Sequence, residues 1–161
     1  MSSADLAGVS EIADQIHKTL PERPEVVAEK IRLFPEGCLT LVADGRVVGY
    51  GIAHPWLLHS VPPLDEYLGA LPAKPECLYI HDVAVLPLAR GQGAMVEYVA
   101  AIKRLGRQLA INSLALVSVY GTNVLWRHFG FEIVDDPALA PKLASYGASA
   151  KYMVFRESSL G

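Results

Sequence analysis

"HDVAVLPLARGQGAM", residues 81–95, decides how the chain is read. An apolar, β-branched run opens on a histidine–aspartate pair and breaks at Pro87. It continues as Arg90-Gly91-Gln92-Gly93 into a long helical pattern. Strand, turn, glycine-bearing loop and helix, in that order, make a place for an anion. The first amides of a helix lack internal acceptors, and the helix dipole favours negative charge there. Gly91 and Gly93 let the backbone approach a phosphate with no Cβ in between, and Arg90 adds a charged donor. The spacing differs from GxxxxGK[ST] and from GxGxxG. On these residues alone a phosphate cradle and an ordinary turn with a helix start are equal readings.

The flanking segments give the stretch its setting. "CLYIHDVAVL" is apolar on both faces and predicts a central strand. The helix after the glycines carries Met95, Val99, Ile102, Leu105 and Leu109 on one side. Upstream, Leu6, Val9, Ile12, Ala13, Ile16 and Leu20 recur at helical spacing, with Ser3 or Asp5 as cap. Pro24 opens a second helix, "PEVVAEKIRLF". Two β-rich runs flank Asp44-Gly45 and predict a hairpin, with Gly49 and Gly51 marking a bulge or a close backbone approach. Residues 55–75 are proline-rich, a long connection of the kind that serves as a binding loop or a cover for the core. Downstream, "SLALVSVY" predicts a buried strand and "NVLWRHFG" a short helix ended by Gly130; "FEIVD" and "AKYMVFRE" predict two more strands. The order predicts one α+β (α/β) domain over residues 1–161, with a mixed, mostly antiparallel sheet flanked by helices.

Composition narrows the function classes. The chain has 161 residues, 52% hydrophobic and 19% charged, which fits a single globular domain with a substantial core. No apolar run reaches the roughly 18–20 residues that span a bilayer, and the acidic "MSSADLAGVSEIADQ" has no apolar signal core. The expectation is a cytoplasmic protein without membrane partners. A net charge of −3 gives no footprint for nucleic acid. The two cysteines, Cys38 and Cys77, lack metal-ligand spacing and read as reduced core thiols. The remaining histidines, His17, His54, His59 and His128, read as surface or loop residues, and no metal is expected.

"VAVLPLARGQGAM" resembles the acyl-CoA-binding motif of the GNAT acetyltransferase superfamily, whose pattern is Arg/Gln-x-x-Gly-x-Gly/Ala after a central strand. "LVSVYGTNVLWRHFGFE" resembles the second cofactor-side segment of that family, and "LYIHDVAV" the equivalent strand of its arylalkylamine N-acetyltransferase branch. The resemblance implies acetyl-CoA as co-substrate. It implies that the backbone of Val83, Ala84 and Val85 pairs with the pantetheine arm, and that the amides of Arg90, Gly91, Gln92, Gly93, Ala94 and Met95 hold the pyrophosphate. Asn123 and Trp126 are placed beside the cofactor by the same resemblance. Met95 stands where the family carries Gly or Ala, and Trp126 where it carries an acidic tyrosine. Trp126 is then a packing residue or a wall of the cofactor channel. Residues 1–5 are too short to provide the family's strand before the first helix, so either the domain lacks it or the true start lies upstream.

The implied reaction moves an acetyl group from a thioester to an amine, so a base must first take a proton from the ammonium. His81 is the first candidate, because imidazole titrates near neutral pH, and the resemblance gives a histidine here that role. Asp82 is the second; strict alternation puts it on the opposite face of the strand. Tyr146, near the last strand, is a candidate for the acceptor site or the acid, with Tyr120 and Tyr152 as substitutes. Trp56, Asp65, Glu66 and Tyr67 offer aromatic faces and carboxylates suited to an ammonium. The expected activity is N-acetylation of a small-molecule primary amine by a monomer or homodimer, the latter through an apolar last strand. The alternatives are acetylation of a protein lysine or N-terminus, and a non-catalytic acyl-CoA-binding module.

Overall fold

The structure is a computed structural model, and it describes residues 1–157. Six strands form one sheet: β1 (Cys38–Ala43), β2 (Arg46–Trp56), β3 (Cys77–Val85), β4 (Ser113–Ser118), β5 (Glu132–Ile133) and β6 (Lys151–Arg156), in the order β1-β2-β3-β4-β6-β5. Helices α1 (Leu6–Ile16), α2 (Pro24–Leu33), α3 (Ala94–Gln108), α4 (Asn123–His128) and α5 (Ala140–Ala144) flank it. The β3–β4 pairing is parallel and the other four are antiparallel, as the mixed reading expects. α1 ends four residues before Leu20, and residues 17–23 form a separate α1–α2 connection. The five-residue α5 carries too short a pattern to be read from sequence. β6 lies between β4 and β5, so both its edges are paired; the expectation that it offers a free edge to a second chain is corrected.

Alternation along the strands builds two faces. On one, α1 and α2 bring Val9, Ile12, Val27 and Ile31 onto Cys38, Tyr50, Ile52 and Ala84. On the other, α3 brings Tyr98, Val99 and Ile102 onto Ala53, Leu78, Ile80 and Leu116. Leu109, expected on the buried side of α3, lies beyond its end and is exposed. The hairpin turn is as its sequence demands: Asp44 and Gly45 both have positive φ, 50° and 73°, which suits a two-residue turn matching the strand twist.

Two departures from regular pairing position the site. In β3, Asp82 pairs with Ile52 and Ile80 with Ala53, so His81 is one residue too many and the strand bulges there. Between β3 and β4 the ladder holds for three pairs, Leu78–Leu114, Tyr79–Ala115 and Ile80–Leu116, and does not continue beyond them. From His81 to Val85, β3 is paired with β2 on one edge and open on the β4 side.

Gly51 allows a close approach that locks α3 onto β2. A Cβ there would overlap the Tyr98 ring. We expect Gly51→Ala to destabilise the fold by about 1–3 kcal/mol, the usual cost of forcing an extra carbon into a packed core. A shift in the urea unfolding midpoint at unchanged slope checks it.

Candidate active site

The α3 start has the form of an anion cradle. Gly91 and Gly93 adopt φ of 76° and 83°, and a Cβ on either meets nothing within 4 Å. The left-handed conformation suits glycine, and the space above both residues is open. The first intrahelical bond runs from Glu97 N to Gly93 O at 3.0 Å. The amides of Gly91 to Met95 take no backbone acceptor among the described residues. One detail of the expected cradle is corrected. The Arg90 amide is committed to Pro87 O, and its Nε donates to Val85 O at 3.0 Å, tying the loop to the end of β3. Met95 turns inward against the α3-side core, so its bulk does not sit over the glycines. Gln92 is exposed, its Nε2 3.5 Å from Leu88 O.

The bulge governs the next group of residues. Because His81 is extra, His81 and Asp82 both face the α1/α2 side, which corrects the expected opposite orientation. His81 Nε2 lies 2.8 Å from Glu22 Oε1. Burial pushes the Glu22 carboxyl up, but His81 and then Lys30, whose Nζ is 3.5 Å from Oε2, outweigh it and hold Glu22 down at about 2. Glu22 is therefore an ionised acceptor, and His81 Nε2–H donates to it. His81 Nδ1 is buried without a partner, and 2% of the side chain is exposed. The residue as a whole is half-buried, so its backbone is the accessible part.

Asp82 is held by two other residues. Tyr50 Oη donates to its Oδ2 at 2.6 Å, and His17 Nε2 stands 2.7 Å from its Oδ1. That separation is within hydrogen-bond reach, so Nε2 is the nitrogen turned to the carboxylate. Burial pushes the His17 imidazole down; Asp82, with help from Glu22, more than restores it and leaves it raised. The His17 ring stacks on Tyr120 with centroids 6.0 Å apart, and Tyr120 Oη is 3.4 Å from Thr19 Oγ1. Tyr120 follows β4 at positive φ, 55°, and is 50% exposed. His54 is fully buried, its Nδ1–H donates to Pro55 O, and burial first, then His81, holds it down at about 3, hence neutral. The surface reading is corrected for His17 and His54. His59 pairs with Asp136 at 2.8 Å, and His128 is exposed.

Other expected site residues are engaged elsewhere. Tyr146 is buried, with its hydroxyl donating to Pro62 O at 2.7 Å and pushed up by burial. Trp126 packs in the α3-side core against Phe129 and Phe131, so of its two readings the packing one describes it. Asn123 opens α4, half-buried, three residues after Tyr120. Val83 and Ala84 send their side chains to opposite cores. Asp65 is not free for an ammonium: it accepts from Arg23 N and Nε at 2.7 and 3.1 Å, while Tyr67 lies under the same guanidinium. Glu22, Lys30 and Tyr50 went unread as site residues in sequence because none stands in a motif. Among the described residues no His/Cys/Asp/Glu cluster is arranged for a metal.

The sequence matches the acetyltransferase (GNAT) family over residues 9–131. No curated protein matches it. Among solved structures it resembles Ard1 from Thermoplasma volcanium, at 19% identity and a TM-score of 0.73 over 99% of this chain and 95% of that one. It also resembles the ribosomal-protein-S18-alanine N-acetyltransferase from Escherichia coli, at 15% identity and 0.65 over 100% and 93%. A third is N-acetylglutamate synthase from Neisseria gonorrhoeae complexed with coenzyme A and N-acetyl-glutamate, at 18% identity and 0.73 over 98% of this chain and 34% of that one.

Glu22 and His17 give opposite pH signatures. Glu22 is held below its ordinary 4.5, so its contribution to stability is present above that pH and fades as pH falls towards about 2. His17 is raised above 6.5, so its contribution is present below that pH and fades as pH rises through the folded-state value. We expect Glu22→Gln to cost on the order of 3 kcal/mol at neutral pH. Thermal melts should show the gap to wild type closing between pH 4.5 and 2.

Proposed function

The chain belongs to the acetyltransferase (GNAT) family, and on that premise we propose that it transfers the acetyl group of acetyl-CoA to a primary amine of a small molecule. The observation that carries the proposal is the opening between β3 and β4. The β3 edge is unpaired from His81 to Val85 and leads to a helix start with open glycines and uncommitted amides. An unpaired strand edge inside a sheet suits an amide-bearing extended arm, and free helix-start amides suit a pyrophosphate. The residues present therefore fit coenzyme A. The backbone of Val83, Ala84 and Val85 would hold the arm and the amides of Gly91 to Met95 the phosphates. Asn123 stands at the α4 start on the far side of the opening. Bound there, acetyl-CoA supplies an activated acyl group.

The chain's own residues supply proton handling and the acceptor site. The bulge presents two imidazole–carboxylate pairs, His81–Glu22 and His17–Asp82, where the β3–β4 ladder ends. Their carboxylates suit an incoming ammonium. A small acceptor is supported by the clamping of the two segments over this face. Arg23 grips Asp65, Asp65 N donates to Glu22 at 3.2 Å, and Leu68 N and Gly69 N donate to Glu29 at 2.7 and 2.9 Å. Such a cover leaves room for a compact amine more readily than for a polypeptide.

The decisive experiment is thiol release from acetyl-CoA against tyramine, spermidine, free amino acids and a short peptide with a free N-terminus. Turnover on a small amine is expected; turnover on the peptide alone overturns the substrate class, and no turnover on any of them overturns the activity. Gly93→Ala should weaken coenzyme A binding about tenfold or more by calorimetry, because a left-handed alanine costs roughly 1–2 kcal/mol and its Cβ enters the open cradle.

A further inference from the structure

The two imidazole–carboxylate pairs differ in which nitrogen a substrate can reach. In His81, Nε2 is taken by Glu22 and Nδ1 is buried, so neither nitrogen meets solvent. In His17, Nε2 faces Asp82, while Nδ1, among the described residues, is neither bonded nor one of the buried polar atoms, which leaves it as the accessible nitrogen of a side chain 12% exposed. The position of His17 is as telling. It follows α1, its carboxylate partner is on the β3 bulge, and its ring stacks on Tyr120 beyond β4. The imidazole therefore bridges the two strands where they part.

From this geometry we infer that His17, oriented by Asp82, is the group that takes the proton from the acceptor ammonium, and that His81 with Glu22 holds the α1–α2 connection onto the bulge. The inference rests on the acetyltransfer reading above. In the step, one N–H bond of the ammonium breaks and its proton bonds to the Nδ1 lone pair. The amine recovers its electron pair for attack on the acyl carbon, and the imidazolium loses the proton to solvent from the same nitrogen. Asp82 supports the charge from the Nε2 side, itself held by the Tyr50 hydroxyl. The groups facing His17 are Asp82 on β3, Tyr50 on β2 through that carboxylate, Glu22 of the connection, and Tyr120. Asp82 is thereby a positioning residue.

Two measurements on the full chain test the assignment. The first needs no cofactor: diethyl pyrocarbonate acylates an accessible neutral imidazole nitrogen, and peptide mapping by mass spectrometry should find His17 modified well before His81. Modification of His81 first, or protection of His17, overturns the inference whatever the enzyme's activity. The second uses the best amine of the panel. His17→Gln should lower kcat by about a hundredfold or more, the usual weight of a general base, and abolish the acidic limb of the kcat/KM–pH profile. Its affinity for coenzyme A by calorimetry should stay that of wild type. Asp82→Asn should displace the limb without removing it. An acidic limb kept in His17→Gln and lost in His81→Gln gives the role back to His81. Absence of coenzyme A binding by wild type sinks the acetyltransfer reading instead, and leaves the modification result to decide the place of His17.

Discussion

One extra residue in β3 organises the site. If β3 alternated strictly, His81 and Asp82 would face opposite layers, and one of them would lie under α3 among Ile80, Leu78 and Val99. The bulge lets Ile80 keep its place in that core while both polar side chains turn towards the α1–α2 connection. Burying two ionisable groups side by side costs free energy unless each finds a partner. The partners come from residues 17–22, and they fix where the connection lies. The position of that connection in turn fixes Lys30, fully buried against Glu22 and Glu66 O, and the clamp onto residues 65–69.

The same departure from regularity accounts for the cofactor side. β3 is held to β2 on both sides of the bulge at His81, and its pairing with β4 ends next to that bulge, at Ile80 and Leu116. An unpaired edge in the middle of a sheet is unusual, because buried backbone groups are normally satisfied. Here it is adjacent to a helix start whose amides are also uncommitted. Arg90 joins the two through Val85 O, so the edge and the cradle keep a fixed relation. The open β3 edge and the open helix start therefore lie side by side.

Much of this was legible in residues 81–95. The glycines, the arginine and the apolar strand before them carry local information: positive φ, a helix start and a buried strand are each set by a few neighbouring residues. The hairpin at Asp44-Gly45 was legible for the same reason. Trp126 and Tyr146 were less so, because whether a large aromatic lines a channel or fills a core depends on what packs against it. Asp65 reads as an available carboxylate until Arg23 closes on it. Met95 reads only as a departure from the family's Gly or Ala until its side chain is found packed into the α3-side core.

The sequence by itself determined the order of elements, the cradle at the α3 start and the presence of a histidine and an aspartate beside it, since these follow from local conformational preference and hydrophobic period. Which imidazole meets which carboxylate was decided by tertiary structure alone. His81 and Glu22 are 59 residues apart in the chain, and no propensity or spacing rule links them. Their pairing follows from a bulge that changes the face of Asp82 and from a connection folded back over the sheet. Which imidazole nitrogen is accessible is a property of that packing.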